Sequence, residues 1–291
     1  MIRIGVSPVG WSNDDLPTLG AEISFERCLD EAARAGFEGI EMGHKFPRDP
    51  PSLERALSER RLELVSAWYG TRLLERSVED ELRQVEPVLE ILRHVGADVL
   101  VVAEVTGSVI RDRFVPVARR PVLHPEAIRR FGGALTHFAD ALAERGVQLA
   151  YHHHMGTVIE SAEDVASLVV HTGGAVGLTI DTGHAGFAGI EPAELVAQHV
   201  ARIRHVHLKD VRAPVFEKFQ SEPGSFLDAI VDGVFTVPGD GDLDLEPVVR
   251  VLVDAGYEGW IVVEGDQDPE RADPAIFARI GRETVRRWLT R

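Results

Sequence analysis

Two hydrophobic periods alternate along the whole chain. Apolar runs with strand character lie near 2–8, 39–43, 62–68, 98–105, 147–154, 176–182, 203–209 and 260–265. Between them, apolar residues recur at helical spacing near 24–36, 51–60, 78–95, 125–145, 161–171, 191–200, 244–255 and 273–289. Repeated strand-then-helix units predict a parallel sheet with helical crossovers. Eight of them close an α/β fold of the (β/α)8 TIM-barrel type. Several helix-to-strand joints carry a glycine at the same place, Gly36, Gly96, Gly146 and Gly256. There it can take the left-handed conformation that ends a helix. No linker or low-complexity stretch interrupts the pattern, so 1–291 reads as a single domain. Two connections are long for their units, near 106–124 and 210–243. Both follow strand ends, so they are expected on the face where barrel enzymes build their sites.

Composition narrows the functional classes. At 291 residues and 44% hydrophobic content, one large core is affordable. A net charge of −16 disfavours phosphate backbones and anionic membranes, so neither nucleic acid nor membrane is an expected partner. No apolar run approaches a membrane span, and the chain opens on Ile2, Ile4 and Val6 without a signal-peptide pattern. Cys28 is the only cysteine, which excludes an intrachain disulfide and fits a reducing cytoplasm. Self-association into a homo-oligomer is left open.

The strand ends hold the chemistry. Glu41, Glu104, the run His152-His153-His154, Asp181 with His184, the set His205, His207 and Lys209, and Glu264 all fall there. Unpaired charges are costly in a barrel interior, so several at converging ends point to a site. Period-two alternation puts His152 and His154 on one face and His153 on the other, and aligns His205, His207 and Lys209. Two imidazoles and two carboxylates make a mixed N/O donor set suited to Mn²⁺, Co²⁺ or Zn²⁺. The candidate ligands are His152, Asp181, His207 and Glu264, with His154 as the rival to His152.

The chain also resembles a known group, the sugar-phosphate isomerase/epimerase-like barrels, and within it the inosose dehydratases. The resemblance covers nearly the whole sequence. It is carried by Trp11-Ser12-Asn13-Asp14-Asp15-Leu16-Pro17, Gly43-His44-Lys45-Phe46-Pro47 and Tyr151-His152-His153-His154-Met155-Gly156-Thr157, among others. Asp181-Thr182-Gly183-His184 and His205-Val206-His207-Leu208-Lys209-Asp210-Val211-Arg212 add to it, but these recur across the wider superfamily. By position, the resemblance implies Asp181, His207 and Glu264 as metal ligands. Many relatives carry a glutamate on the fifth strand, where this chain has His152. It further implies substrate contacts from His184 and Arg212.

The implied reaction dehydrates scyllo-inosose (2-keto-myo-inositol) to a trihydroxycyclohexane-dione in inositol catabolism. A divalent metal would act as Lewis acid, with glutathione as a further cofactor that the resemblance leaves room for. A base must take the proton beside the ketone. Glu264 and Glu104 are the candidates, and ligation of Glu264 by metal favours Glu104. His184, His154 and Lys209 are candidate donors to the leaving hydroxyl. Trp11, Asn13, Glu41 and Lys45 are read as contacts to the ring and its hydroxyls, with Trp11 or Trp68 as a stacking surface. A ketose isomerase or epimerase on the same scaffold is the nearest alternative. A non-catalytic sugar-binding protein and a metal-dependent DNA-repair endonuclease are weaker ones.

Overall fold

The structure, a computed structural model, describes residues 1–222 and 224–290. Eight parallel strands form its closed barrel: β1 (Ile2–Val6), β2 (Gly39–Met42), β3 (Glu63–Thr71), β4 (Val99–Glu104), β5 (Gln148–His152), β6 (Val176–Asp181), β7 (Ile203–Leu208) and, last in the chain, Gly259–Val263. Two short strands, β8 (Asp210–Val211) and β9 (Phe235–Thr236), pair antiparallel outside it, so Gly259–Val263 is β10. Around the barrel the order is β1-β10-β7-β6-β5-β4-β3-β2. Closure comes from Ile2–Val6 lying in register with Gly259–Val263.

The local signals explain where elements begin and end. Ser24, Ser77 and Ser161 cap the helices Phe25–Ala35, Val78–Val95 and Ala162–His171 by accepting a backbone N–H through their side chains. Gly36 and Gly96 end the first two of these at φ of 86° and 79°, a conformation costly for any residue with a Cβ. Gly146 and Gly256 also have positive φ. Leu29, Leu53, Leu89, Leu92, Phe138 and Leu142 bury the helices' apolar faces against the barrel. Each fully buried side chain of this size contributes about 1.5–3 kcal/mol. Cys28 belongs to this layer, and burial pushes its thiol far above the ordinary range. The folded protein is therefore expected to resist alkylation by iodoacetamide. Fast stoichiometric labelling without denaturant would contradict that placement.

The structure differs from the sequence reading in three places. β5 stops at His152 rather than at 154, and His153 and His154 continue as irregular backbone. A short helix, Thr182–Phe187, starts directly at the end of β6, where Asp181 Oδ1 accepts the His184 N–H at 2.9 Å. The long 210–243 connection is not a plain loop. It folds into the β8/β9 ribbon and the helices Ala213–Ser221 and Phe226–Asp232. Phe219, Phe226, Leu227, Ile230 and Phe235 give it a core of its own, packed with Ile110 and Val117 from the 106–124 connection and with Met155 and Phe187. Among the described residues, no helix is long and apolar enough to cross a membrane.

Candidate metal centre

Alternation along the strands selects the residues that face the barrel axis. Val99, Val101 and Ala150 make a small apolar cluster with Trp68, and Val101 and Trp68 reach the wall of a cleft at the strand ends. That cleft encloses about 640 Å³ including its open mouth, within the range of small-ligand sites. Its lining includes Asn13, Glu41, Trp68, Arg111, His152, His154, His184, His207, Glu264 and Asp266.

Four ligand atoms gather there. His152 Nε2 lies 3.4 Å from Asp181 Oδ2, and His207 Nδ1 lies 3.5 Å from the same oxygen. His207 Nδ1 is also 2.7 Å from Glu264 Oε2. Asp181 Oδ2, His207 Nδ1 and Glu264 Oε2 are all buried without a hydrogen-bond partner. Native interiors leave few polar atoms orphaned, and each one asks for a missing partner. Three orphaned donors aimed at one another fit a bound cation. Asp181, His207 and Glu264 form one set with ligand atoms within 4.8 Å of each other, and His152, Asp181 and His184 form another. His154 belongs to neither, so the geometry favours His152 as the fifth-strand donor.

The charges agree with that fit. Lys209 is 1% exposed and donates to Asp266 Oδ2 at 2.6 Å, with Glu264 Oε1 at 3.1 Å and Asp181 Oδ2 at 3.4 Å. Burial opposes ionisation of Asp181, but Lys209 and His184 hold it well below the usual carboxylate range. Glu264 is lowered in the same way by Lys209 and His207 against its own desolvation. Desolvation works against a charged His207, and Glu41 and Glu264 overcome it, so its ring sits well above the ordinary value. Four buried carboxylates, those of Glu41, Asp181, Glu264 and Asp266, thus face Lys209 and one histidine. Positive charge is in deficit, and a divalent ion with mixed N/O preference would supply it. In binding, it would displace the Nδ1 proton of His207.

Two further histidines stand beside this cluster. His154 Nδ1 donates to the Met155 carbonyl at 2.7 Å, which leaves a lone pair on Nε2. His184 Nδ1 lies 3.3 Å from the Met155 backbone nitrogen and its Nε2 lies 3.3 Å from the Lys209 ammonium, so the ring meets a donor at each nitrogen. Their ring centroids are 4.0 Å apart. Burial pushes His154 down to about 4 and His184 well below its ordinary value, so both rings are neutral near pH 7. Phe226 and Phe235, from the 210–243 segment, pack on His184.

Several expected site residues lie elsewhere. Glu104 is on the face of β4 opposite to Val101 and outside the cleft lining. Its carboxylate accepts from Leu73 N at 2.7 Å, Thr106 N at 3.0 Å and Thr71 Oγ1 at 3.1 Å, so it ties loops together and is not placed to act as a base. Glu104→Gln is therefore expected to hold turnover within about threefold while costing roughly 1–3 kcal/mol of stability. Thermal melts and steady-state rates test this, and a large loss of kcat in a stable variant would return Glu104 to the reaction. Trp11 is buried with its indole N–H on Glu31, 2.7 Å away. Lys45 Nζ donates to the carbonyls of Gly20, Ala21 and Ile23. Arg212 is held by the carbonyls of Gly233 and Phe235, by Thr236 and by Asp240. None of these three lines the cleft. Asn13 does, and its Nδ2 donates to Asp266 Oδ1 at 3.1 Å. Asp266 was missed, although it shares the alternating face of Glu264. Burial raises its carboxyl to about 6, against the pull of Lys209. Arg111, paired with Asp15 at 2.9 Å, closes part of the mouth.

Comparison with known proteins gives the same architecture. The profile of the xylose isomerase-like TIM barrel family matches residues 29–281. The chain belongs to that family. It is 43% identical to the inosose dehydratase of Geobacillus thermodenitrificans over 98% of this chain and 96% of that one. It is also 43% identical to the rhizopine catabolism protein MocC of Rhizobium meliloti, over 98% and 88% of the two chains. Among solved structures, a probable 3-DHS dehydratase from Bacillus anthracis superposes with a TM-score of 0.72 at 13% identity, covering 98% of each chain. An IolI protein solved with a bound zinc atom superposes at 0.71 and 15% identity, covering 99% and 98%. These last two likenesses concern the fold.

Proposed function

We propose that this chain is a metal-dependent hydro-lyase that removes water from scyllo-inosose to give a trihydroxycyclohexane-dione, as a step of inositol catabolism. The observation that carries the reading is the near full-length likeness to a protein named inosose dehydratase, at 43% identity. The cluster of orphaned ligand atoms at the floor of the cleft supports it. His152, Asp181, His207 and Glu264 would hold the ion, with Mn²⁺ or Co²⁺ expected and Zn²⁺ compatible with the donors. When bound, the ion supplies Lewis-acid charge for the oxygens of the ketone and its neighbouring hydroxyl.

The remaining roles fall to this chain's own side chains. His154, its Nδ1 proton engaged by the Met155 carbonyl, offers Nε2 to accept the proton from the carbon beside the ketone. His184 and the Lys209 ammonium, 3.3 Å apart, are the source of the proton for the departing hydroxyl. Lys209 holds Asp266 and Glu264 in place and keeps the site's negative charge balanced. Asn13, Asp266 and Glu41 are polar groups of the wall suited to ring hydroxyls, and Trp68 presents an aromatic surface to the ring's C–H face. The lone buried cysteine suits a reducing cytoplasm.

The test is an assay of purified protein with scyllo-inosose and Mn²⁺, Co²⁺, Zn²⁺ or chelator, with and without glutathione. The expected product is lighter by one water and absorbs in the ultraviolet, and chelator stops its formation. An isomer of equal mass would assign an isomerase or epimerase instead. Binding without turnover under every metal would leave only a sugar-binding role.

A further inference from the structure

Glu41 stands on β2 and reaches across the barrel interior to β7, with β1 and β10 between them on the shorter way round. One of its oxygens, Oε1, takes three donors: Ser66 Oγ at 2.6 Å, His205 Nε2 at 2.8 Å and His207 Nε2 at 3.0 Å. An ionised carboxylate accepts only, so both imidazoles must carry a proton on Nε2. For His207 this leaves Nδ1 as the nitrogen open to a cation once its proton is displaced. Its Nδ1 is turned to Asp181 and Glu264 and is otherwise unpartnered. His205 packs edge-on against His207, with ring centroids 5.0 Å apart, and is not itself turned to Asp181 or Glu264. It buttresses the same oxygen from the layer below, and Ser66 does so from β3.

We infer that Glu41 is the positioning residue of the metal centre: it holds His207 in the Nε2–H tautomer and at the ring angle that delivers Nδ1 to the cation. This rests on the metal-dependent reading above, but not on the identity of the substrate. Carboxylates in this outer position fix the tautomer and raise the basicity of a metal-binding imidazole, and losing one weakens metal affinity by about 10- to 100-fold. Direct coordination by Glu41, with His205 and His207 in a second ion site, is the competing arrangement. The three are close enough for it, yet Ser66 and both rings already fill Oε1 with hydrogen bonds.

The experiment is a competition titration of Zn²⁺ against a chelator in the full chain, with Glu41→Gln, Glu41→Ala and Ser66→Ala beside the unmodified protein. The expected result is one ion per chain and a Kd raised about 10- to 100-fold in both Glu41 variants. Ser66→Ala, which removes a bond to the same oxygen but none to His207, should stay within about threefold of the unmodified protein. In the Zn²⁺-loaded protein, nitrogen NMR should show a protected Nε2–H on His207 that exchanges with water in Glu41→Ala and persists in Ser66→Ala. Unchanged affinity with an unchanged His207 signal in a folded Glu41→Ala would overturn the inference. So would two ions per chain with the second lost on mutation of Glu41. No substrate enters these measurements, so a failed inosose assay and a failed titration are told apart.

Discussion

Asp181→Asn is expected to lose the metal and the reaction together while the protein stays folded. The two oxygens of Asp181 have separate duties. Oδ1 caps the helix Thr182–Phe187 at the His184 N–H, whereas Oδ2 is the orphaned atom shared by His152, His207 and Lys209. Asparagine is as good a helix cap as aspartate, so the cap survives through the amide oxygen. The amide nitrogen that replaces Oδ2 donates hydrogen bonds and offers no lone pair to a cation. Metal affinity should therefore fall by more than the 10- to 100-fold typical of losing an outer partner. Turnover should drop by about 10²–10³-fold or more, the scale of removing one electrostatic stabiliser. Elemental analysis after gel filtration and a thermal melt check both halves. Stoichiometric metal retained in the variant would remove Asp181 from the ligand set.

Lys209→Met carries the second large effect, and it falls on stability. The ammonium is buried among Asp181, Glu264 and Asp266, and its aliphatic stem lies so close to Gly183 that an added Cβ there would come within 2.5 Å of it. Methionine keeps the stem and removes the charge. Three carboxylates then share a water-poor interior without their cation, a loss worth about 3–5 kcal/mol. The melting temperature of the metal-free protein should fall by roughly 10 °C. A divalent ion binds only the folded cluster and restores part of the missing charge, so the loss should shrink on adding Mn²⁺ or Zn²⁺. Calorimetry with and without the ion measures it. Equal melting of the variant and the unmodified protein in chelator would mean that the carboxylates are not ionised as described.

The two variants bear on what the sequence could reveal. The barrel was legible because its signals are local: short apolar runs, and glycines at the helix ends such as Gly36 and Gly96. The convergence of Asp181, His207 and Glu264 was legible for a related reason. Strands of one barrel bring their ends together, so Asp181, His207 and Glu264 needed only the right strand and face. Glu104 shows the limit of that argument, because being at a strand end is not enough. Val101 faces the cleft, so the residue an odd number of places further on must face away. The same parity rule, applied beyond Glu264, would have found Asp266. Lys45, Trp11 and Arg212 lay beyond such rules, since their partners are backbone carbonyls, the carboxylates of Glu31 and Asp240 and the Thr236 hydroxyl, all set by the packing of loops and helices. The 210–243 segment was opaque because two-residue strands carry no periodicity, and its partners at 110–117 and 155 are distant in sequence.

That segment also stands apart from the residues it presses on. The ion's donors and Lys209 come from the barrel strands or their immediate ends, whereas Phe226 and Phe235, which press on His184, come from one uninterrupted stretch between β7 and the helix Glu246–Asp254. Most of the apolar residues of 210–243 form a cluster distinct from the one behind the barrel, to which only Val237 among the buried ones belongs. Changes to this stretch reach His184 through Phe226 and Phe235, and they reach the barrel core through Val237. None of the segment's described residues lines the cleft, so at the site it governs the seating of one imidazole and not the outline of the ligand.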